Sequence, residues 1–129
     1  MPHFALHYSA NLGGFDATSC LVAVNNALAA SRHFEEADIK SRALRIESYE
    51  VGTRSRGRGF VAAQLSILEG RSDKTKKELS ESVLKAILGC STLQAIVEVQ
   101  VTVEVIDIHR ASYAKTVLGE ARFLAEGNT

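Results

Sequence analysis

The chain has 129 residues, 46% hydrophobic and 23% charged, with 15 Lys and Arg against 15 Asp and Glu. That length supports one compact domain with a core of its own; no apolar run approaches the roughly 20 residues of a bilayer helix, and the N-terminus lacks the pattern of a secretion signal. With no net charge and its one basic cluster (Arg54, Arg56, Arg58) in a short glycine-containing turn, neither nucleic acid nor membrane is an expected partner, and the expected setting is cytoplasmic.

The predicted elements form a strand, helix, strand unit that occurs twice. In the first copy Leu6 and Tyr8 mark a strand, Cys20, Val24 and Leu28 one face of a helix, and Leu44 and Ile46 a second strand. Val51 to Gly59 (VGTRSRGRG) is polar and turn-rich, a connection too short to separate domains. In the second copy Leu65 and Ile67 mark a strand. Ser72 to Gly89 is an amphipathic helix, because Leu79, Val83 and Ile87 recur every four residues while Lys74, Lys76, Lys77, Glu78 and Lys85 fall elsewhere. Ser72 or Asp73 can cap its first turn, and Gly89 is expected in the left-handed conformation that often ends a helix. From Ile96 to Ile108 valines alternate with polar residues, the period of a half-buried strand. The tail, 109–129, is helix-compatible from Arg110 to Glu126.

Sliding the chain along itself by 59 positions, the separation of Leu6 and Leu65, aligns the two copies without a gap. Tyr8 then falls on Ile67, Cys20 on Leu79, Val24 on Val83, Leu28 on Ile87, Leu44 on Val103 and Ile46 on Val105. This predicts a single α/β (α+β) domain over 1–129, with pseudo-repeats 2–52 and 60–108. Each unit has parallel strands and a right-handed crossover, and together they make a four-stranded sheet with two helices on one face. The opposite face, carrying apolar side chains from several strands, then needs cover from another subunit. Cys20, on the packed helix face, and Cys90 are expected as reduced thiols.

Where the copies differ, three residues stand out. Pro2 matches Val61, Arg71 matches Leu12, and Arg42 falls opposite Val101 on a face shared with Leu44 and Ile46. Arg42 reads as a snorkelling strand-end residue or as a placed charge, and Arg71 as a solvated residue before a helix or as a placed charge. Pro2, the only proline, is either an ordinary second residue or, once Met1 is removed, a secondary amine. Such an amine beside apolar groups and arginines is pushed towards its unprotonated, basic form.

Read together, these residues carry a resemblance. Ile67 to Leu79 (ILEGRSDKTKKEL) is similar to the turn and helix start of the 4-oxalocrotonate tautomerase family. Met1 to Phe4 (MPHF), Ser9-Ala10-Asn11 and Asp38 to Ala43 (DIKSRA) resemble a longer branch of that superfamily, the 5-carboxymethyl-2-hydroxymuconate delta-isomerase family. The resemblance runs from Pro2 to about Ile108. It implies a homotrimer of β-α-β repeats whose pockets are lined by neighbouring subunits, with no metal, flavin or nucleotide. It also implies that Pro2 moves a proton within an unsaturated 2-hydroxy or 2-oxo dicarboxylate from aromatic-compound breakdown, while Arg42 and Arg71 hold its carboxylates and favour the dienolate. The chemistry agrees: isomerising a dienol needs one moderate base and fixed positive charge where the oxyanion develops, and two arginines can orient a diacid.

Two positions depart from the family pattern. Lys40 stands where some relatives carry arginine, and His7 where an acidic residue is common, so both join the expected substrate-binding set and leave the substrate's identity open. His3, His7, His33 and His109 lack metal-ligand spacing. Within the same fold the resemblance also allows a Pro2-dependent hydratase, dehalogenase or decarboxylase. A trimer that binds a small acid without catalysis is the reading from another class.

Overall fold

The structure, a computed structural model, describes residues 1–90 and 98–119. The described elements run β1 (His3–Ser9), α1 (Ala17–Ala30), β2 (Lys40–Ile46), β3 (Arg58–Leu68), α2 (Asp73–Leu88) and β4 (Glu98–Ile108), with single 3-10 turns at Glu36–Asp38 and Arg110–Ser112. Residues 96 and 97 of the predicted last strand lie outside the described residues. The sheet has the order β2-β1-β3-β4. β1 runs parallel to β2, β3 parallel to β4, and the two units meet antiparallel along β1 and β3. Two parallel β-α-β units are therefore present as expected.

The helix faces follow the predicted spacing. Cys20, Val24 and Leu28 are the buried residues of α1, and Leu79, Val83 and Ile87 those of α2. They close on Phe4, Leu6, Val61, Leu65 and Ile67, all 0% exposed. The strands alternate, one face turned to this core and one left open. Neither cysteine is disulfide-bonded. Burial, and then the neighbouring Cys90 thiol, push the Cys20 thiol up to about 12, so it stays protonated as part of the core.

Ser72 caps α2: its hydroxyl accepts from the Thr75 amide at 3.1 Å. Ser72→Ala is expected to cost about 1 kcal/mol in unfolding free energy, the usual worth of an N-cap, with turnover unchanged; denaturant titration and an assay check both. Gly89 does not take the left-handed conformation expected of it. Its φ is −75°, and its amide continues the helical pattern to the Lys85 carbonyl at 2.9 Å. Ser9 and Asn11 pin the start of β3. The Ser9 hydroxyl accepts from the Phe60 amide at 2.9 Å and donates to Asn11 Oδ1 at 2.7 Å, while Asn11 Nδ2 donates to the Arg58 carbonyl at 2.8 Å. A Cβ on Gly59 would stand 2.8 Å from that hydroxyl, so only glycine leaves room for the network.

The ungapped repeat breaks down at the second strands. Leu6 pairs with Ala43, whereas its counterpart Leu65 pairs with Val105. Ala43 and Val105 are 62 positions apart rather than 59, so the second unit is three residues longer ahead of its last strand. An odd shift reverses strand parity. Leu44 and Ile46 therefore lie on the open face, whereas Val103 and Val105 pack against the core. Arg42, in register with Ala5, is equivalent to Glu104, in register with Gln64, and not to Val101. The open face is also less apolar than expected. His3, His7, Arg42, Gln64, Thr102 and Glu104 interleave with Ala5, Leu44, Ala62 and Ile106 across it.

The tail is not helical over its described part. After one 3-10 turn it runs without regular structure to Gly119, and residues 120–126 of the predicted helix lie outside the described residues. Its anchors explain the path. Glu69 accepts from the Arg110 amide, and the Arg110 guanidinium donates to the Glu69 carbonyl, each at 2.9 Å. These bonds tie the segment to the sheet end instead of to its own next turn. Gly70, at φ +121°, makes the turn beside this clamp.

Candidate active site

The topology determines which strand ends meet. Because β1 and β3 are antiparallel while each pairs in parallel with its outer neighbour, the start of β1 and β2 adjoins the end of β3 and β4. Pro2, Asp38, Lys40, Arg71, Tyr113 and Lys115 thus come from four separate stretches of chain to one end of the sheet.

Pro2 is fully buried there, and its carbonyl accepts from the Lys40 amide at 3.1 Å. With Met1 in place the α-amine belongs to Met1, one residue outward. Its pKa lies below the ordinary value, first because it is partly buried; Asp38 opposes that shift, and Arg71, Lys40 and Lys115 add to it. An amine at this end of the sheet is a base sooner than an exposed one, and cations surround it.

Arg71 follows β3 and precedes the Ser72 cap, half-buried. It donates to the His33 carbonyl at 2.8 Å and lies over the Phe34 ring, 4.8 Å from its centroid. The carbonyl and the ring hold one side of the guanidinium and set its direction. Lys40 turns its ammonium to the Asp38 carbonyl, and Lys115 reaches the Asp38 carboxylate at 2.6 Å. That pairing keeps Asp38 below its usual pKa. Asp38 thereby offsets part of the positive charge near the amine.

Arg42 is exposed on the open face and joins the group through His3, donating to its Nδ1 at 3.0 Å. His3 Nε2 lies 3.2 Å from the Tyr113 hydroxyl. His7 is not part of this cluster. It lies four residues along β1 from His3, about 13 Å at strand spacing, in a shallow depression with Ala5, Ala62 and Gln64. Of the expected residues, Pro2, Lys40 and Arg71 are brought together, Arg42 is linked to them, and His7 stands apart on the open face.

Four participants were not expected from the sequence: Asp38, Phe34, Tyr113 and Lys115. Asp38 sits inside the DIKSRA string but is set beside the amine only by the parallel pairing of β1 and β2. Phe34 needs the α1–β2 connection to meet Arg71. Tyr113 and Lys115 belong to the tail, which reads in sequence only as a loosely repeating, helix-compatible segment, and no spacing in the sequence relates them to Pro2. Among the described residues, no group of three or more His, Cys, Asp or Glu is arranged to hold a metal ion. No described helix is long and apolar enough to cross a membrane.

Residues 2–121 match the family model of 5-carboxymethyl-2-hydroxymuconate isomerase. A solved 5-carboxymethyl-2-hydroxymuconate isomerase from Deinococcus radiodurans R1 is similar in structure with a TM-score of 0.83 and 26% identity, over 95% of this chain and 93% of that one. A 5-carboxymethyl-2-hydroxymuconate delta-isomerase superposes with a TM-score of 0.79 at 20% identity, over 97% and 93% of the respective chains. A fused 4-OT described as a symmetric trimer has the same fold, with a TM-score of 0.71 at 15% identity over 93% and 96%. Among curated proteins none matches the chain.

Proposed function

The chain belongs to the 5-carboxymethyl-2-hydroxymuconate isomerase family, and we propose that it isomerises an unsaturated 2-hydroxy or 2-oxo dicarboxylate with Pro2 as its base. The observation that carries this reading is the gathering of Arg71, Lys40 and Lys115 around an α-amine whose pKa is lowered by burial and by those cations. Removal of Met1 would move the α-amine one residue inward, onto the Pro2 nitrogen at the same end of the sheet. The nitrogen takes a proton from one position of the substrate and returns it at another, so substrate and product are isomers and no electrons are exchanged with an outside partner.

Arg71, held against His33 and Phe34, is directed to one substrate carboxylate or to the developing oxyanion. Arg42 and Lys40 serve the other end of the diacid. Positive charge placed where the dienolate forms stabilises it without reorganisation at the moment of transfer. His7, apart from this group, has its place on the face that a neighbouring subunit would cover. A homotrimer supplies that cover, as the symmetric-trimer form of the fused 4-OT suggests.

Three measurements test the proposal. Intact mass spectrometry is expected to show the chain without Met1, and a retained Met1 leaves Pro2 as an amide with no basic nitrogen, which ends the catalytic reading. Ketonisation of 2-hydroxymuconate-type dienols is expected without added metal or cofactor. Light scattering at micromolar concentration should give three times the 14.0 kDa chain mass, and a monomer or dimer overturns the trimer.

A further inference from the structure

The contact of Arg42 with His3 contains more information than its distance. A guanidinium only donates hydrogen bonds, so His3 Nδ1, 3.0 Å away, must be the accepting, unprotonated nitrogen. His3 is also held neutral: its pKa is lowered by burial first and then by Lys40, Arg42, the α-amine and Lys115, which all press the same way. A neutral ring with a bare Nδ1 carries its proton on Nε2, the nitrogen facing the Tyr113 hydroxyl at 3.2 Å. The direction of every bond in the row is thereby determined. Arg42 donates to His3, and His3 donates to Tyr113.

The row is anchored at both ends. Tyr113, half-buried, follows directly on the turn that the Glu69–Arg110 bonds fix to the end of β3. His3 lies in register with Lys40 of β2 and Ser66 of β3, so its backbone is held in the sheet interior. Arg42, by contrast, has an exposed side chain. Among the described residues its one side-chain hydrogen bond is to His3. A long cation with that freedom loses rotamer entropy when it grips a ligand, and the imidazole reduces that loss by holding it beforehand.

We propose that Tyr113 and His3 are positioning residues for Arg42: the tail, through the Tyr113 hydroxyl and the His3 imidazole, holds the guanidinium in the orientation in which it binds a substrate carboxylate. This rests on the reading of Arg42 as a carboxylate-binding residue. It adds a tail residue to a site otherwise built from the two repeats, and it gives His3 a role that does not require contact with substrate.

A double-mutant cycle with an inert dicarboxylate decides the matter. Adipate binding is measured by calorimetry for the wild-type chain, Tyr113→Phe, Arg42→Gln and the double variant, with dienol turnover recorded alongside. Tyr113→Phe is expected to weaken adipate binding about fivefold, the loss of one hydrogen bond, with kcat on a dienol acid nearly unchanged. In the Arg42→Gln background the same substitution is expected to change nothing, because there is no guanidinium left to position. Long-range proton–nitrogen NMR should show the His3 proton on Nε2. An equal loss in both backgrounds, no loss in the first, or a proton on Nδ1 overturns the proposal. If the wild-type chain binds adipate but turns over no dienol acid, the catalytic reading fails while the cycle still decides the positioning role. If it binds no dicarboxylate, both fall.

Discussion

Pro2→Ala is expected to lower kcat by about 100-fold or more, within the range by which a positioned general base accelerates proton transfer. The variant still ends in an amine once Met1 is removed, so the loss measures placement and not the mere presence of nitrogen. The proline ring is fully buried at the start of β1, and ring closure onto the nitrogen fixes the direction of its lone pair. Alanine there leaves both a void and a free torsion. Saturating substrate isolates the chemical step, and a fall in kcat greater than any rise in KM marks Pro2 as a group acting in the transition state. A kcat within a few-fold of wild type would leave only the acid-binding reading.

The pH profile of the wild-type chain follows from the same surroundings. With Pro2 as the proposed base, turnover needs the unprotonated amine, so kcat/KM is expected to rise with pH and to level off below the ordinary pKa of an α-amine. Asp38 is the one named influence that raises this pKa. Asp38→Asn is therefore expected to move the ascending limb to lower pH.

Arg71→Ala is expected to lower kcat/KM by about 10- to 100-fold, the worth of one or two hydrogen bonds to a charged group. It has a second signature. Arg71 lowers the pKa of the neighbouring amine, so its removal makes protonation easier and moves the ascending limb to higher pH, opposite to Asp38→Asn. Loss of the contacts to His33 and Phe34, both near the surface, should cost little stability. Weakened turnover with an unmoved pH profile would place Arg71 away from the base and contradict the arrangement around Pro2.

Much of the fold was legible because it depends on local period. A repeat of about four residues exposed the buried faces of both helices through Cys20, Val24, Leu28, Leu79, Val83 and Ile87, and narrowed the cap of α2 to Ser72 or Asp73. Pairing was less accessible. The three extra residues ahead of β4 leave the apolar pattern of each strand intact, yet they change which residues are equivalent, and an odd shift in a period of two reverses faces. For that reason Leu44 and Ile46 were aligned with valines that point the other way. Gly89 shows the complementary limit: its composition permits a left-handed turn, but the amide bond back to Lys85 holds it helical.

The sequence by itself determined the two β-α-β units, the helix faces, the singular position of Pro2, and the motifs around Arg42 and Arg71 that carry the family resemblance. All of these depend on residue type and near-neighbour spacing. Only the tertiary structure decided who stands beside the amine. Parallel pairing within the units and antiparallel pairing between them bring Asp38, Lys40, Arg71 and the tail to one sheet end, and the Glu69–Arg110 clamp turns Tyr113 towards His3. Those neighbours are separated by up to 114 residues, the interval from Met1 to Lys115. Charge and hydrogen bonding act through space, so no local pattern in the chain records them.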